Sequence, residues 1–418
     1  MPISFLNKNF KTILLLIILI LVFYRSPYIF LNGRFVAEEG SVWFRNSYLF
    51  GPVVGFTQVF WGSGYFNLWA NISSVFATYV PINYSPLVTV YFAFAVQLYL
   101  FIFIIFSKSN LIITNIDKIL VSLVVLLSPV MVAEVWLNTL TSQVYFTILT
   151  ILIYFQKDVV NSIFNKLSPI IIFISGLSSI LPCILSPFFI YRYFDNKNSF
   201  NLKNLFAIII TTSFQSIIYI YAKINSLEFL ADNTRYILSF DKITNFTYNV
   251  LIKSFFGRDL TQIIYYKFLS SFNLQVLSLL IIILFIGFIL FSIKKIKIDK
   301  IYFFLLLFFL TYSFLAIYAS KMEQVQGRYA LIPGIILIFM VFRFSQISSG
   351  IAKTLSIILI LISLFTGSYE YKHNNIYPHF LICDNCPDWK TEVSKWKKDN
   401  TYPLKIWMYP TKTMRLDK

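Results

Sequence analysis

The chain has 418 residues, of which 58% are hydrophobic and only 13% charged, with 46 Phe and 27 Tyr, and its mean hydropathy is +0.73. These values exclude a soluble globular domain, whose apolar share is about half and which carries no apolar runs of about 20 residues. A formal net charge of +17 would point to nucleic acid in a soluble chain. Here the lysines and arginines fall between apolar runs, so their expected roles are orientation by the positive-inside rule and contact with anionic membrane lipids, with no nucleic-acid partner.

The first apolar run, from Ile13 to Leu31, follows Lys8 and Lys11 and has no small-residue cleavage site after it. It reads as an uncleaved first span with the N-terminus in the cytoplasm. Residues 32–85 are then exterior, with the acidic pair Glu38-Glu39, the cations Arg34 and Arg45, and a dense aromatic set that includes Trp43, Trp61, Tyr65 and Trp69. A loop this apolar is expected to lie on the membrane as short interfacial helices. A second span runs from Pro86 to Phe106 and a third from Ile119 to Ala133. The tight corner Glu134-Val135-Trp136-Leu137-Asn138-Thr139 leads into a fourth span ending near Phe155.

Ser168 to Tyr191 reads differently. Its centre, Ser175-Gly176-Leu177-Ser178-Ser179 followed by Pro182 and Pro187, is what two half-helices meeting at mid-depth need, because small residues let a broken backbone sit where it is buried in protein. We expect a re-entrant hairpin with both ends cytoplasmic. Further spans follow at about 203–221, 275–293, 301–319, 329–342 and 354–368, the last four separated by turns that carry Lys294, Lys295, Lys297 and Lys300, then Lys321 and Arg328, then Arg343 and Lys353. The expected fold is an all-α polytopic membrane protein with about nine transmembrane helices and one re-entrant hairpin. Its transmembrane domain covers residues 1–369, with exterior loops 32–85 and 223–274, and a small exterior tail covers 370–418. Lys and Arg are about twice as dense in the interior segments as in the exterior ones, as this orientation requires.

The acidic pair is the stretch that needs explaining. Glu38 and Glu39 sit between Phe35-Val36-Ala37 and Val42-Trp43-Phe44, with Gly40 permitting a tight turn. A solvated loop pair is the bland reading. Burial beside Trp43 would instead raise a carboxyl toward the range useful for a general base. Adjacent residues point in different directions, so one of the two faces a substrate, and the sequence does not say which. A single base suits a sugar carried on a polyprenyl phosphate, whose leaving group needs cations rather than a proton. Lys321, Arg328, Arg34 and Arg45 are the cations on offer, with interfacial anchoring as their plainer role.

The order of these features carries a resemblance. An exterior acidic pair is followed by Glu134-Val135-Trp136-Leu137-Asn138-Thr139-Leu140-Thr141-Ser142-Gln143, then Ser175-Gly176-Leu177-Ser178, then Gly327-Arg328-Tyr329 leading to Pro333. This resembles the membrane glycosyltransferases of the GT-C class, and within it the phage-type serotype-converting O-antigen glucosyltransferases. The resemblance implies an enzyme of the bacterial inner membrane, with a periplasmic C-terminus, that passes glucose from undecaprenyl phosphate to a sugar of the lipid-linked O-antigen. It implies Glu38 or Glu39 as base and Arg328 holding the lipid phosphate, helped by Lys321 and Arg34. Glu134, Asn138, Gln143, Trp43 and Tyr65 would line the substrate cavity. The pair here is Glu-Glu where relatives often carry aspartate, which leaves the position of the base open.

No cofactor is demanded by the residues, although Glu38, Glu39 and Glu134 could share a divalent ion. In the tail, Cys383 and Cys386 lie near His373 and His379. A disulfide, free thiols and a His/Cys zinc site all stay open. Trp389, Trp396, Trp407 and Tyr409, interleaved with lysines, could stack on sugars or settle on headgroups, and the tail is expected to fold over the exterior loops. Two rival functions are a polysaccharide polymerase using Arg235 and Arg258, and a flippase that permeates at Gly176.

Overall fold

The computed structural model describes residues 3–227, 237–267, 271–296, 299–320, 325, 327–371, 388–407 and 412–417. These residues are mostly helical, and the strands among them form two short antiparallel hairpins. Among the described residues, six helices are long and apolar enough to cross a membrane: Ile82–Phe106, Ser199–Ile224, Asn273–Ser292, Lys300–Ala319, Arg328–Ile347 and Ile351–Glu370. The chain is an all-α multi-pass membrane protein, because only helices can satisfy their own backbone in lipid without closing a barrel. It divides into two compact units, one of residues 1–108, 133–231 and 376–418, the other of 109–132 and 232–375.

In the first unit the helix Ile3–Arg25 ends at Ser26, and Pro27 restarts a short helix, Pro27–Asn32. Gly33 stops it with φ +66°. A Cβ there would lie 2.7 Å from the Leu87 nitrogen, so only glycine lets this turn press on the start of the Ser85–Phe106 helix. The 32–85 segment forms the short helices Arg45–Phe50, Pro52–Thr57 and Leu68–Thr78, the last capped by Asn67. The expected break near Gly176 is present: Ile163–Ser178 and Ile180–Asp195 meet at an angle of 119°. Polar side chains take up the backbone groups freed there. Gln215 of the Ser199–Ile224 helix donates to the Gly176 carbonyl at 2.9 Å and clasps the backbone of Phe66, while Ser179 accepts from Leu181 and donates to Gln143 at 2.8 Å.

The second unit is organised around Arg328–Ile347, 89% buried over its apolar window, whereas Asn273–Ser292 is 11% buried and presents its sides outward. A Thr114–Asp117 capping box starts Asn115–Leu127. Asp299 and Arg343 form a two-pronged ion pair at 3.0 and 2.7 Å, which brings the start of Lys300–Ala319 and the end of Arg328–Ile347 to one end of the unit, as alternating spans require. The 223–274 loop of the sequence reading is largely helical where described, with Phe240–Phe246, a wide π-type turn Thr247–Ile252, and Lys253–Lys267.

Two expected spans are short. Asn115–Leu127 and Ser142–Tyr154 have 13 residues each, or about 20 Å of helix against about 30 Å of hydrocarbon.

A close backbone approach gives the fold its most specific test. A Cβ on Gly367 would lie 1.6 Å from the Leu127 carbonyl oxygen, whereas one on Gly287 would meet nothing within 4 Å. Gly367→Ala should lower the thermal midpoint of the detergent-solubilised protein, with a cost of about 1–3 kcal/mol, and Gly287→Ala should leave it level or raise it. Equal midpoints for the two variants would contradict this packing.

Candidate functional site

The site grows from the stretch Phe35 to Phe44 in the first unit. Val36 pairs in parallel with Trp407 of the tail: Trp407 N–H donates to the Phe35 carbonyl at 3.0 Å and Ala37 N–H to the Trp407 carbonyl at 3.4 Å. The chain then turns sharply. Ala37 has φ +46°, a left-handed conformation that a residue with a Cβ adopts only under constraint. Glu39 and Gly40 donate back to Val36 and Ala37, and a wide π-type turn, Glu39–Phe44, follows. Apolar packing holds the turn in place. Phe35 lies on Phe44 with ring centres 4.5 Å apart and meets Trp389 edge-on at 5.2 Å, within a cluster that includes Val393, Leu404, Ile406 and Met414 of the tail.

The two glutamates are in different situations. Glu39 is fully buried, and its carboxylate accepts from the Val36 N–H at 3.3 Å, from the Thr139 N–H at 3.0 Å and from the Thr139 hydroxyl. Thr139 belongs to the Glu134–Thr139 corner, where Leu137 is also left-handed at φ +50°. The carboxylate therefore ties together two backbone segments that each hold a strained residue. Burial pushes Glu39 up to about 7, opposed by the hydrogen bonds from Thr139, Val36 and Thr89.

Glu38 faces outward. Its side chain is 33% exposed, and Oε1 lies 2.9 Å from Lys412 Nζ of the tail. Arg45 donates to the Arg415 carbonyl at 2.9 Å, a second link between loop and tail. Arg34 is buried, and the loss of water pulls its guanidinium down to about 10, partly offset by the nearby Tyr28 hydroxyl.

The remaining sequence candidates divide by what they touch. Asn138 closes the corner itself: its side chain accepts from Leu140 N–H at 2.8 Å and donates to the Glu134 carbonyl. Gln143 accepts from Ser179 at the helix break. Trp43 is buried and packs with Ala70, Leu140 and the half-buried Tyr65, so it joins loop to corner. Asn138, Gln143 and Trp43 thus have scaffold contacts where a cavity lining was expected, because a corner this tight uses nearby polar groups to satisfy its own backbone. Glu134 is half-buried on the same corner. Arg328 belongs to the second unit, where it starts the Arg328–Ile347 helix with its side chain exposed over the Tyr329 ring. Lys321, Cys383 and Cys386 lie outside the described residues. Sequence reasoning missed Lys412, which is 374 positions from Glu38 and has no local signal, and Thr139, which was within a quoted motif but had no assigned role.

Comparison with protein-family models, with curated proteins and with solved structures finds no match to this chain.

The raised Glu39 carboxyl makes a prediction about pH. A carboxyl whose folded value of about 7 exceeds its ordinary 4.5 binds its proton more tightly when folded. Its contribution, about 3 kcal/mol, is full below the ordinary value and is lost as pH rises through about 7. The melting temperature of the wild type should therefore fall between pH 5 and pH 8 more steeply than that of Glu39→Gln, as measured by thermal unfolding of both in the same detergent. Parallel curves would place the titration elsewhere.

Proposed function

We propose that the protein is a glycosyltransferase of the bacterial inner membrane. It moves a hexose, glucose by the resemblance, from undecaprenyl phosphate to a sugar of the lipid-linked O-antigen on the periplasmic side. In this reading the six long helices, Ile3–Arg25 and the two 13-residue helices make nine crossings, and the bent pair is re-entrant. The short crossings are completed by the buried non-helical corner between Leu127 and Ser142, which is tolerated at depth because protein surrounds it.

The observation that carries the reading is the division of labour in the acidic pair. Glu38 is one-third exposed beside a lysine, on a turn held rigid by a buried partner glutamate and a layer of aromatic rings. A general base must first be within reach of its proton, and only then does its basicity matter. We therefore assign Glu38 as the base and Glu39 as the residue that positions it.

In the reaction Glu38 takes the proton from an acceptor hydroxyl. The oxygen attacks the anomeric carbon, and the bond to the phosphate breaks with its electron pair on the phosphate. The departing polyprenyl phosphate is met by a cation, for which Arg34 is the candidate in the unit that holds Glu38. Single displacement inverts the anomeric centre. No step in this scheme is assigned to a cofactor.

Purified protein given radiolabelled polyprenyl-phosphate glucose and O-antigen glycolipid tests the proposal. Glu38→Gln should lower turnover by about 10²–10⁴-fold with an unchanged melting temperature, while Glu39→Gln should keep turnover within about tenfold of wild type. Loss at Glu39 alone would reverse the assignment. A polymerase or flippase would tolerate both changes, and failure of the wild type to transfer any polyprenyl-phosphate sugar would remove the reading.

A further inference from the structure

Where the tail lies along the 32–85 segment, the two do not close completely. A shallow groove remains, open to the outside and enclosing no more than about one water's space at its base, and its wall includes Tyr28, Arg34, Trp389, Lys405 and Trp407. Three independent features of this wall point the same way. It carries two cations, from segments 371 residues apart in sequence, and one of them, Arg34, is buried rather than solvated. Two tryptophans line it: Trp389, whose indole donates to the Ile82 carbonyl at 2.7 Å, and Trp407, whose backbone pairs with Phe35 and Ala37. Tyr28 belongs to the short helix that continues the first membrane helix, so the groove lies at the end of an apolar segment.

Asp388 touches the Tyr28 hydroxyl. It already accepts from the Thr391 N–H and hydroxyl at 2.9 and 2.8 Å as the cap of the Trp389–Lys398 helix. Its charge is thus directed into the helix end, where the dipole favours it. Glu392, the other buried acid of the tail, is held by Lys395, Tyr402 and the Lys405 N–H.

We propose that this groove is a phosphate site, in which Arg34 and Lys405 hold the oxygens of a phosphate ester beside Trp389 and Trp407. A guanidinium offers paired donors that match phosphate oxygens, a lysine adds a point charge, and indoles accept the apolar part of an ester at a membrane boundary. Arg34 and Glu38 are four residues apart, so their Cα atoms are at most about 14 Å from each other. The site and the assigned base therefore share one short stretch of chain. Which ester fills the groove, the sugar donor or a neighbouring phospholipid, rests on the transferase reading. That a phosphate fills it does not.

The test measures binding and needs no turnover, so it can fail or succeed apart from transfer. Full-length protein is delipidated in detergent and titrated by native mass spectrometry with a polyprenyl phosphate, with phosphatidylglycerol and with inorganic phosphate as competitor. The variants are Lys405→Gln, Arg34→Lys and Arg34→Gln, each with its melting temperature recorded. Lys405→Gln should weaken binding of at least one phosphate probe about tenfold, and Arg34→Gln should do so more strongly. Selective weakening for the polyprenyl phosphate identifies the donor, equal weakening for both lipids identifies headgroups in general, and weakening confined to inorganic phosphate identifies the free ion. Lys405 is only half-buried and lies on a surface hairpin, so its variant decides the matter if the Arg34 variants do not fold. Wild-type affinity for all three probes in a folded Lys405→Gln protein would overturn the proposal.

Discussion

The first unit depends on one buried carboxylate. Glu39 joins the Val36 amide of the 32–85 segment to the amide and hydroxyl of Thr139 on the corner after residue 133. Without it, Ala37 and Leu137 would lose the constraint that keeps each left-handed, a conformation that costs of order 1–3 kcal/mol per residue and persists only where the surroundings over-determine it. The same contact fixes the direction of the preceding residue. Because Glu39 points inward on a tight turn, Glu38 points out, toward Lys412.

The tail is part of this arrangement. Its strand-like contact at Trp407, the Lys412 ion pair and the Arg45 to Arg415 hydrogen bond attach it to the loop at successive points, and the ring of Phe35 is enclosed by Phe44 on one side and Trp389 on the other. The chain thus closes its 32–85 segment with its last described residues. A helix break on another part of the unit is satisfied in a similar way, with Gln215 and Ser179 replacing the backbone partners lost at the bend. Irregular backbone at membrane depth occurs only where such partners exist.

Much of the fold was legible in the sequence because apolar length and charge placement are local signals. The spans at 86–106, 203–221, 275–293, 301–319, 329–342 and 354–368 each fall within a long apolar helix, and the break at Ser175–Ser179 coincides with the observed bend. The helical character of residues 240–267 was not legible, since its helices are short and mixed in polarity. Lys242 and Lys253 are buried there, which composition alone argues against. At the site, the sequence identified the acidic pair but could not separate its members: the partners that distinguish them, Thr139 and Lys412, are 100 and 374 residues away. Asn138 and Gln143 were read as cavity residues because polar groups beside apolar runs invite that reading, and the fold uses both to complete its own backbone and helix break.

The central claim is that the two neighbouring glutamates differ in access, one clamped inside and one open. Carbodiimide labelling of the folded protein, read residue by residue by mass spectrometry, tests it directly. The account predicts that Glu38 is modified while Glu39 stays protected until the protein unfolds. Modification of Glu39 at the rate of Glu38 in the folded state would contradict it.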